Sequence, residues 1–372
     1  MSRAGAGLGA KLLLAVVAIA VVLAMLEIAA RVEHARRLAA GVAGVPDADE
    51  LPIIFDLDEL VRKNVRAVHE GVYYRTNSRG LRGPEYTRAP AEGTFRILIA
   101  GDSVTMGSGV LEQAAYPSVL ERLLNAEPRH GPRKYEVLNL GLSGVNAAFS
   151  NLRLTRLGDV FGADLVVYGF TLNDIEGPNY QQVDGQEDAK DMLAVWQRVE
   201  RFRDSPSHLL RVLWPRLMTI VEWDAFHAGP GGTFGNEGAV WRRNYFENPS
   251  AWRDFAEPLA RLARYAAERD ICAQVFVHTY LVQLDEDHPF AGIYQRVGDE
   301  AESLGLGVTQ SLPAFIGRDA SSLWLDRFDP HPNALGHEIL ARTLYDGLEE
   351  LPASCWRSAA ERAAPRAEPD PR

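Results

Sequence analysis

Residues 95–107 read FRILIAGDSVTMG, and this stretch carries the fold prediction for the chain. The first six residues form an apolar run rich in strand-favouring side chains, which indicates a buried strand. Gly101 and Gly107 allow the backbone to turn after that strand, and Ser103 stands in the turn. A serine at this point can be presented at the carboxyl edge of a parallel sheet, where α/β proteins place their chemistry. Ser103 is therefore a candidate nucleophile, provided that the chain also supplies a base and an oxyanion site.

The same strand pattern recurs further along the chain. Apolar strand candidates lie at 135–140, 165–170 and 272–279. The predicted helices lie at 117–125, 147–157, 251–268 and 294–304. Continuous apolar strands separated by helices are typical of a parallel sheet that is covered on both faces. We therefore predict an α/β protein with three layers, α/β/α, around a central parallel sheet.

Composition narrows the classes of function. The net charge of -11 argues against nucleic-acid binding, because contact with phosphates needs a basic surface. The chain has only two cysteines, Cys272 and Cys355, which makes a thiolate zinc site or a disulfide framework improbable. One disulfide in an oxidising compartment remains open. We predict no cofactor and no metal ion.

The N-terminus carries a second clear pattern. Residues 12–26 read LLLAVVAIAVVLAML, and weakly apolar flanks bring the run near the roughly 20 residues of a membrane span. Three interpretations compete: a retained signal anchor, a cleaved signal peptide and a buried core helix. We predict the anchor, because residues 41–43 make a poor cleavage site and lie far past the run. Basic residues flank both ends, so the positive-inside rule leaves the orientation open, and we expect the body of the protein outside the cytoplasm.

These patterns suggest a domain organisation. We predict an N-terminal transmembrane anchor at 1–30, a juxtamembrane connector at 31–92 and an α/β domain at 93–353. A tail at 354–372, rich in proline, alanine and charge, is expected to be disordered. The third and fourth strands are separated by far more residues than one crossover needs, which predicts an insertion at about 178–250. The insertion is interpreted either as a lid or wall over a pocket or as a packing subdomain.

Four short blocks occur in order where strands are predicted to end. They are GDS at 101–103, NLGLSG at 139–144, ND at 173–174 and HPN at 331–333. Each block alone is weak, but the ordered set resembles the SGNH (GDSL) hydrolase family, over about residues 94–351. The resemblance implies the SGNH hydrolase fold, a flavodoxin-like α/β/α sandwich. The rival serine-hydrolase fold is disfavoured, since its nucleophile elbow needs glycine where this chain has Thr105.

The resemblance also implies roles for individual residues. Ser103 matches the nucleophile, and His331 matches the base that takes its proton. The oxyanion would be held by the backbone N–H of Ser103, the N–H of Gly144 and the side-chain amide of Asn173. Gly144 stands five residues after Asn139, as the second block of the family requires.

One position departs from the family pattern. The triad aspartate usually stands three residues before the histidine, where this chain has Phe328. Carboxylates stand instead at Asp329, two residues before His331, and at Asp326, five before. We favour Asp329 and keep Asp326 as the alternative. Either carboxylate would hold the tautomer of the imidazole and stabilise its charged form.

The expected activity is that of a membrane-anchored serine esterase or acylhydrolase working through an acyl-enzyme. Its substrate would be an acyl-ester small molecule, or the O-acetyl or other acyl groups of an envelope glycan or lipid. Two alternatives remain: an O-acyltransferase using the same serine, histidine and aspartate, and a catalytically silent envelope binding protein. The predicted partners are the acylated substrate and the membrane, with no nucleic acid.

Residues 77–83, NSRGLRG, precede the first block and resemble what stands there in membrane-anchored members of the family. Arg79 and Arg82 could reach an anionic substrate. The plainer interpretation is a structured turn that packs on the domain.

Overall fold

The computed structural model describes residues 7–45, 51, 62–69, 71–131, 133–176, 206–210, 213, 232–326, 329–358 and 361–362. The chain divides into two compact units. One comprises Met1–Pro46 and Gln181–Ala239, and the other comprises Asp47–Tyr180 and Val240–Arg372. Every strand that the structure describes belongs to the second unit.

The described strands form one main sheet and two small hairpins. In chain order they are β1 (Arg66–His69), β2 (Val72–Arg75), β3 (Thr94–Gly101), β4 (Lys134–Asn139), β5 (Leu165–Phe170), β6 (Cys272–Val277), β7 (Gly307–Gln310), β8 (Trp324–Asp326) and β9 (Asp329–Pro332). The main sheet has the order β4-β3-β5-β6-β7, and each neighbouring pair is parallel. The predicted central parallel sheet is confirmed.

Helices of the second unit cover both faces of this sheet. In chain order the described α-helices are α1 (Gly7–Gly41), α2 (Ser103–Met106), α3 (Tyr116–Ala126), α4 (Ala147–Phe161), α5 (Gly232–Phe246), α6 (Pro249–Glu268), α7 (Ala291–Ser303), α8 (Leu312–Phe315) and α9 (Ala334–Leu348). Successive side chains of a strand point to opposite faces, so β3 contributes side chains to the hydrophobic cores on both sides of the sheet. Ile97 and Ile99 pack with residues of α3 and α9, whereas Leu98 and Ala100 pack with residues of α4, α6 and α7. The three-layer prediction is therefore confirmed.

The topology brings three strand ends together. β3 lies between β4 and β5, and both neighbours run parallel to it. Gly101 at the end of β3 pairs with Gly169 of β5, and Ile99 pairs with Asn139 at the end of β4. Because parallel strands all point the same way, the segments that follow β3, β4 and β5 leave from one edge of the sheet.

The segment before β3 also belongs to the sheet-containing unit. β1 and β2 form an antiparallel hairpin. The Tyr74 hydroxyl accepts a hydrogen bond of 2.6 Å from the N–H of Gly109, and the Arg75 guanidinium binds the Glu112 carboxylate at 2.7 Å. Part of the predicted connector thus contacts the loop that follows Ser103.

Within the first unit, α1 is long and apolar enough to cross a membrane, by length and composition. Its window of highest mean hydropathy reaches 2.9, and none of that window is buried. At the end of the apolar run, Glu27 accepts hydrogen bonds from the Ser207 hydroxyl at 2.7 Å and from the Leu209 N–H at 2.8 Å. Most of the predicted insertion at 178–250 lies outside the described residues.

A disulfide joins the two cysteines. Cys272, the first residue of β6, is bonded to Cys355, and their Cα atoms lie 5.3 Å apart. Cys355 lies in a 3₁₀ turn at Ala353–Trp356, where Cys355 and Trp356 are buried. Packing therefore continues past residue 353, the predicted end of the domain, and residues 363–372 lie outside the described part.

Candidate active site

Ser103 is the first residue of α2, in a turn that admits little variation. The carboxylate of Asp102 accepts a hydrogen bond of 3.0 Å from the N–H of Val104 and so caps the helix. A Cβ added at Gly101 would lie 2.2 Å from the Thr105 hydroxyl and 2.5 Å from the carbonyl oxygen of Gly169. Only glycine fits there, because β3 and β5 approach so closely.

Ser103, His331 and Asp329 form one chain of hydrogen bonds. Ser103 Oγ lies 2.9 Å from His331 Nε2, and His331 Nδ1 lies 2.6 Å from Asp329 Oδ1. The backbone N–H of His331 donates to the same Asp329 oxygen at 3.0 Å. Asp329 and His331 both lie on β9, which brings them to Ser103 from a distant part of the sequence.

The ionisation of Asp329 determines where the protons lie in the hydrogen bonds that join Ser103, His331 and Asp329. Burial of the Asp329 carboxyl opposes its ionisation, but the hydrogen bonds and charge of His331 outweigh burial and lower the pKa of Asp329. An ionised carboxylate only accepts, so His331 Nδ1 must carry the proton of their shared hydrogen bond. In the neutral imidazole, Nε2 is then free of a proton and can accept one from Ser103.

The alternative carboxylate, Asp326, occupies a different place. It is the last residue of β8, and its backbone pairs with Asp329 across the β8–β9 hairpin. The side chain of Asp326 lies outside the described part of the structure, as does Phe328. Asp329 is the carboxylate that the structure shows bound to His331.

The two other expected donors follow the strands that flank β3. Gly144 lies in the turn after β4, with a left-handed φ of 72°. Asn173 lies in a 3₁₀ helix, Leu172–Ile175, directly after β5. Gly144 and Asn173 therefore leave the sheet at the same edge as Ser103.

The Asn139 side chain connects β4 to α2, the helix that begins with Ser103. It is buried, its side-chain amide donates to the Thr105 carbonyl at 2.9 Å, and its side-chain oxygen accepts from the Gly141 N–H at 2.9 Å. From the sequence, Asn139 served only as the reference position from which Gly144 was identified. Its structural role is to hold the second block against α2.

Two buried carboxyls lie beside the nucleophile. Burial raises the pKa of Asp102, and a hydrogen bond with Thr171 partly offsets that rise. Burial, reinforced by the nearby charge of Asp102, raises the pKa of Asp174 well above its usual value. Both groups therefore resist ionisation more strongly than an exposed aspartate does.

The Arg82 side chain is buried within the protein. Its buried guanidinium donates to the carbonyls of Met106, at 2.7 Å, and of Gly107 and Val110. It also lies over the ring of Tyr74, 4.1 Å from the centroid. These contacts agree with the interpretation of residues 77–83 as a packing turn. They do not agree with an anion-binding role for Arg82.

Two buried histidines were not anticipated. His337, expected at the surface or as a cap of the last helix, is fully buried, and its Nδ1 accepts from the Tyr116 N–H at 3.3 Å. The reason is that α9 packs its His337 face against α3. His278 is also buried, next to the ring of Tyr116. Burial lowers the pKa of each histidine to about 3.

Among the described residues, no group of three or more histidine, cysteine, aspartate or glutamate side chains could hold a metal ion. No model of a known protein family matches the chain, and no curated protein sequence matches it.

Several solved structures resemble it at low identity. TesA matches at 15% identity over 68% of this chain and 98% of that chain, with a TM-score of 0.40. A mutant of Axe2, an acetyl-xylooligosaccharide esterase from Geobacillus, matches at 17% over 68% and 94%, also with a TM-score of 0.40. LAE5, an alpha/beta hydrolase enzyme from the metagenome of Lake Arreo, matches at 18% over 71% and 97%, with a TM-score of 0.38. At these values the function is argued from the site alone.

Proposed function

We propose that this chain is a serine esterase of the SGNH type that cleaves an ester through an acyl-enzyme. One observation carries the proposal: Ser103 Oγ lies 2.9 Å from His331 Nε2, and His331 Nδ1 lies 2.6 Å from Asp329. A serine, an imidazole and a carboxylate in this order form the constellation that activates a hydroxyl for acyl transfer.

The reaction proceeds in two halves. Ser103 Oγ attacks the ester carbonyl carbon while His331 Nε2 takes the hydroxyl proton, and Asp329 stabilises the resulting imidazolium. The tetrahedral intermediate collapses as His331 returns that proton to the departing alkoxide, which leaves as an alcohol. A water molecule then attacks the acyl-enzyme with His331 again as the base, releasing the carboxylic acid and restoring Ser103.

The negative oxygen of each tetrahedral intermediate needs donors. We assign this role to the N–H groups of Ser103 and Gly144 and to the amide of Asn173. The support is their common position at the edge of the sheet, in the segments that follow β3, β4 and β5. Loss of one such donor typically lowers kcat by about 10²- to 10³-fold.

The proposed location is a membrane with the catalytic unit outside the cytoplasm. The apolar helix α1 supports the anchor, and the Cys272–Cys355 disulfide supports the orientation, because disulfides persist in oxidising compartments. An acylated glycan or lipid of the envelope is the class of substrate that such a position would offer.

The direct test uses the full-length protein in detergent. Ser103→Ala should abolish labelling by a fluorophosphonate probe and lower p-nitrophenyl acetate hydrolysis by about 10⁴-fold or more. Ser108→Ala is the matched control, because this serine lies in the same loop and its buried hydroxyl has no described hydrogen-bond partner. The control should retain labelling and hydrolysis.

The test also separates the alternatives. An unlabelled wild-type protein would contradict the esterase and favour a silent binding protein. If the acyl-enzyme formed from p-nitrophenyl acetate passes its acetyl group to an added glycan alcohol faster than to water, the protein is an acyltransferase with the same site.

A further inference from the structure

A threonine hydroxyl stands between the nucleophile turn and the expected oxyanion donor Asn173. Thr171 directly follows β5 and precedes the 3₁₀ helix Leu172–Ile175. Its Oγ1 donates a hydrogen bond of 2.8 Å to Asn173 Oδ1, the carbonyl oxygen of the side-chain amide. Thr171 is 9% exposed, so water has little access to compete for this contact.

This hydrogen bond determines which end of the amide faces the site. The side-chain amide of asparagine is planar, with an acceptor oxygen at one end and two N–H donors at the other. Its terminal torsion is broad and roughly two-fold, so the amide needs a partner to select one orientation. Thr171 holds the oxygen end, and within the described part of the chain Asn173 Nδ2 donates to no other group. Those N–H donors are thus left for an oxyanion.

Two carboxyls also lie near the Thr171 hydroxyl: Asp102, with which it shares a hydrogen bond, and Asp174. Asp174 Oδ2 already accepts from the Tyr168 hydroxyl at 2.7 Å and from the Thr171 N–H at 2.8 Å, and it lies 3.5 Å from Thr171 Oγ1. Asn173 Oδ1, at 2.8 Å, lies closer to the Thr171 hydroxyl than Asp174 Oδ2 does. Asp174 thereby holds the backbone of Thr171, while the β-branched side chain has few χ1 choices.

We propose that Thr171 is a positioning residue that aims the Asn173 amide at the developing oxyanion. The proposal rests on the proposed esterase function. The Asn173 donors are needed most when negative charge appears on the substrate oxygen, so the effect of Thr171 falls on the transition state rather than on substrate binding.

Thr171→Val tests this, because valine keeps the β-branched shape and removes the hydroxyl. Its kcat for p-nitrophenyl acetate should fall by about 10-fold or more, less than the 10²- to 10³-fold expected for loss of a whole donor in Asn173→Ala. KM should stay within about 2-fold. Thr171→Ser restores the hydroxyl and should return kcat to within about 3-fold of wild type.

A double-mutant cycle separates positioning from a general structural effect. In the Asn173→Ala background, Thr171→Val should lower kcat by no further measurable amount, because the group that it orients is gone. An equal loss in both backgrounds, or a wild-type kcat in Thr171→Val, would overturn the proposal.

Circular dichroism verifies the fold of each variant, and Thr171→Ala replaces the valine variant if that one does not fold. Failure of the esterase proposal itself would be recognised separately, since the wild-type protein would then show neither hydrolysis nor fluorophosphonate labelling.

Discussion

At the scale of single residues, Asp329 is the side chain whose role the proposed mechanism makes most testable. Its carboxylate binds His331 Nδ1 at 2.6 Å and leaves Nε2 to face Ser103. Asp329→Asn keeps the shape but can present an N–H to the imidazole, which favours the wrong tautomer. We expect kcat for p-nitrophenyl acetate to fall by about 10⁴-fold, as measured by steady-state kinetics on the folded variant.

Asp326→Asn is the matched control, because Asp326 pairs with Asp329 across the same hairpin. It should keep kcat within about 3-fold of wild type. A large loss in Asp326→Asn together with a small one in Asp329→Asn would reverse the assignment.

A second residue-scale prediction concerns acid stability. The pKa of His278 is lowered from 6.5 to about 3 by burial, so the unfolded chain binds a proton at pH values where the folded protein does not. The free energy of unfolding therefore falls as the pH drops from about 6.5 toward 3, by up to about 1.4 kcal/mol per pH unit for this one group.

His278→Phe removes this titration and leaves the others in place. Denaturant unfolding of the two proteins from pH 7 to pH 4 should show the variant gaining stability relative to wild type as the pH falls. Buried carboxyls such as Asp174 have the opposite effect, because a raised pKa favours the folded state at low pH. Both proteins contain these carboxyls, so their contribution cancels in the difference between the two free energies of unfolding. A stability difference that does not change with pH would contradict the prediction.

What the sequence could predict at this scale depended on local pattern. Ser103 was found because a serine in a glycine-flanked turn after an apolar run is a local signal. The sequence favoured Asp329 but left Asp326 open, because spacing along the chain does not show which carboxylate reaches the imidazole. The burial of His278 and His337 is equally invisible in sequence, since it results from the packing of distant elements.

At the scale of elements, the segment before β3 supports the loop that follows the nucleophile helix. The Arg82 guanidinium holds the carbonyls of Met106, Gly107 and Val110. Arg82→Met keeps most of the aliphatic stem and leaves these acceptors without their donor. We expect the free energy of unfolding to fall by about 3 kcal/mol, because each unsatisfied buried polar group costs roughly 1–3 kcal/mol.

Arg79→Met is the matched control, because Arg79 belongs to the same turn but is exposed. Its free energy of unfolding should stay within about 0.5 kcal/mol of wild type. Guanidinium chloride unfolding measures this free energy for both variants. An equal decrease in both would show that the buried contacts of Arg82 do not stabilise the fold more than an exposed arginine does.

The elements themselves were predictable to different degrees. The long apolar strands β3 and β5 were recognised because both faces are buried, which leaves an unbroken apolar run. β7 was missed, because this edge strand reads GVTQ and is only partly buried. The β8–β9 hairpin was also missed, since three- and four-residue strands leave almost no periodic signal.

At the scale of the whole molecule, the α/β/α sandwich followed from the order of strands and helices, whereas the disulfide did not. Pairing of Cys272 with Cys355 depends on where the C-terminal turn docks, and no local pattern reports that. The bond closes a separation of 83 residues. Long closed loops restrict the unfolded chain most, so the expected stabilisation is about 2–5 kcal/mol.

Reduction with dithiothreitol should therefore lower the midpoint of denaturant unfolding of the wild-type protein. The double variant Cys272→Ser with Cys355→Ser should start from the lower midpoint and not respond to the reductant. Identical midpoints for oxidised and reduced wild-type protein would show that the bridge does not contribute to stability.

The contact between the β1–β2 hairpin and the Ser103 loop has a practical consequence for producing a water-soluble form. Removing everything before β3 would delete Tyr74 and Arg82 along with the anchor. The Gly109 N–H would lose its acceptor, and the carbonyls of Met106, Gly107 and Val110 would lose their donor. A cut near residue 62 discards α1 and keeps the hairpin. The shortest secreted version that hydrolyses esters should therefore begin about thirty residues earlier than the start of the sheet would suggest.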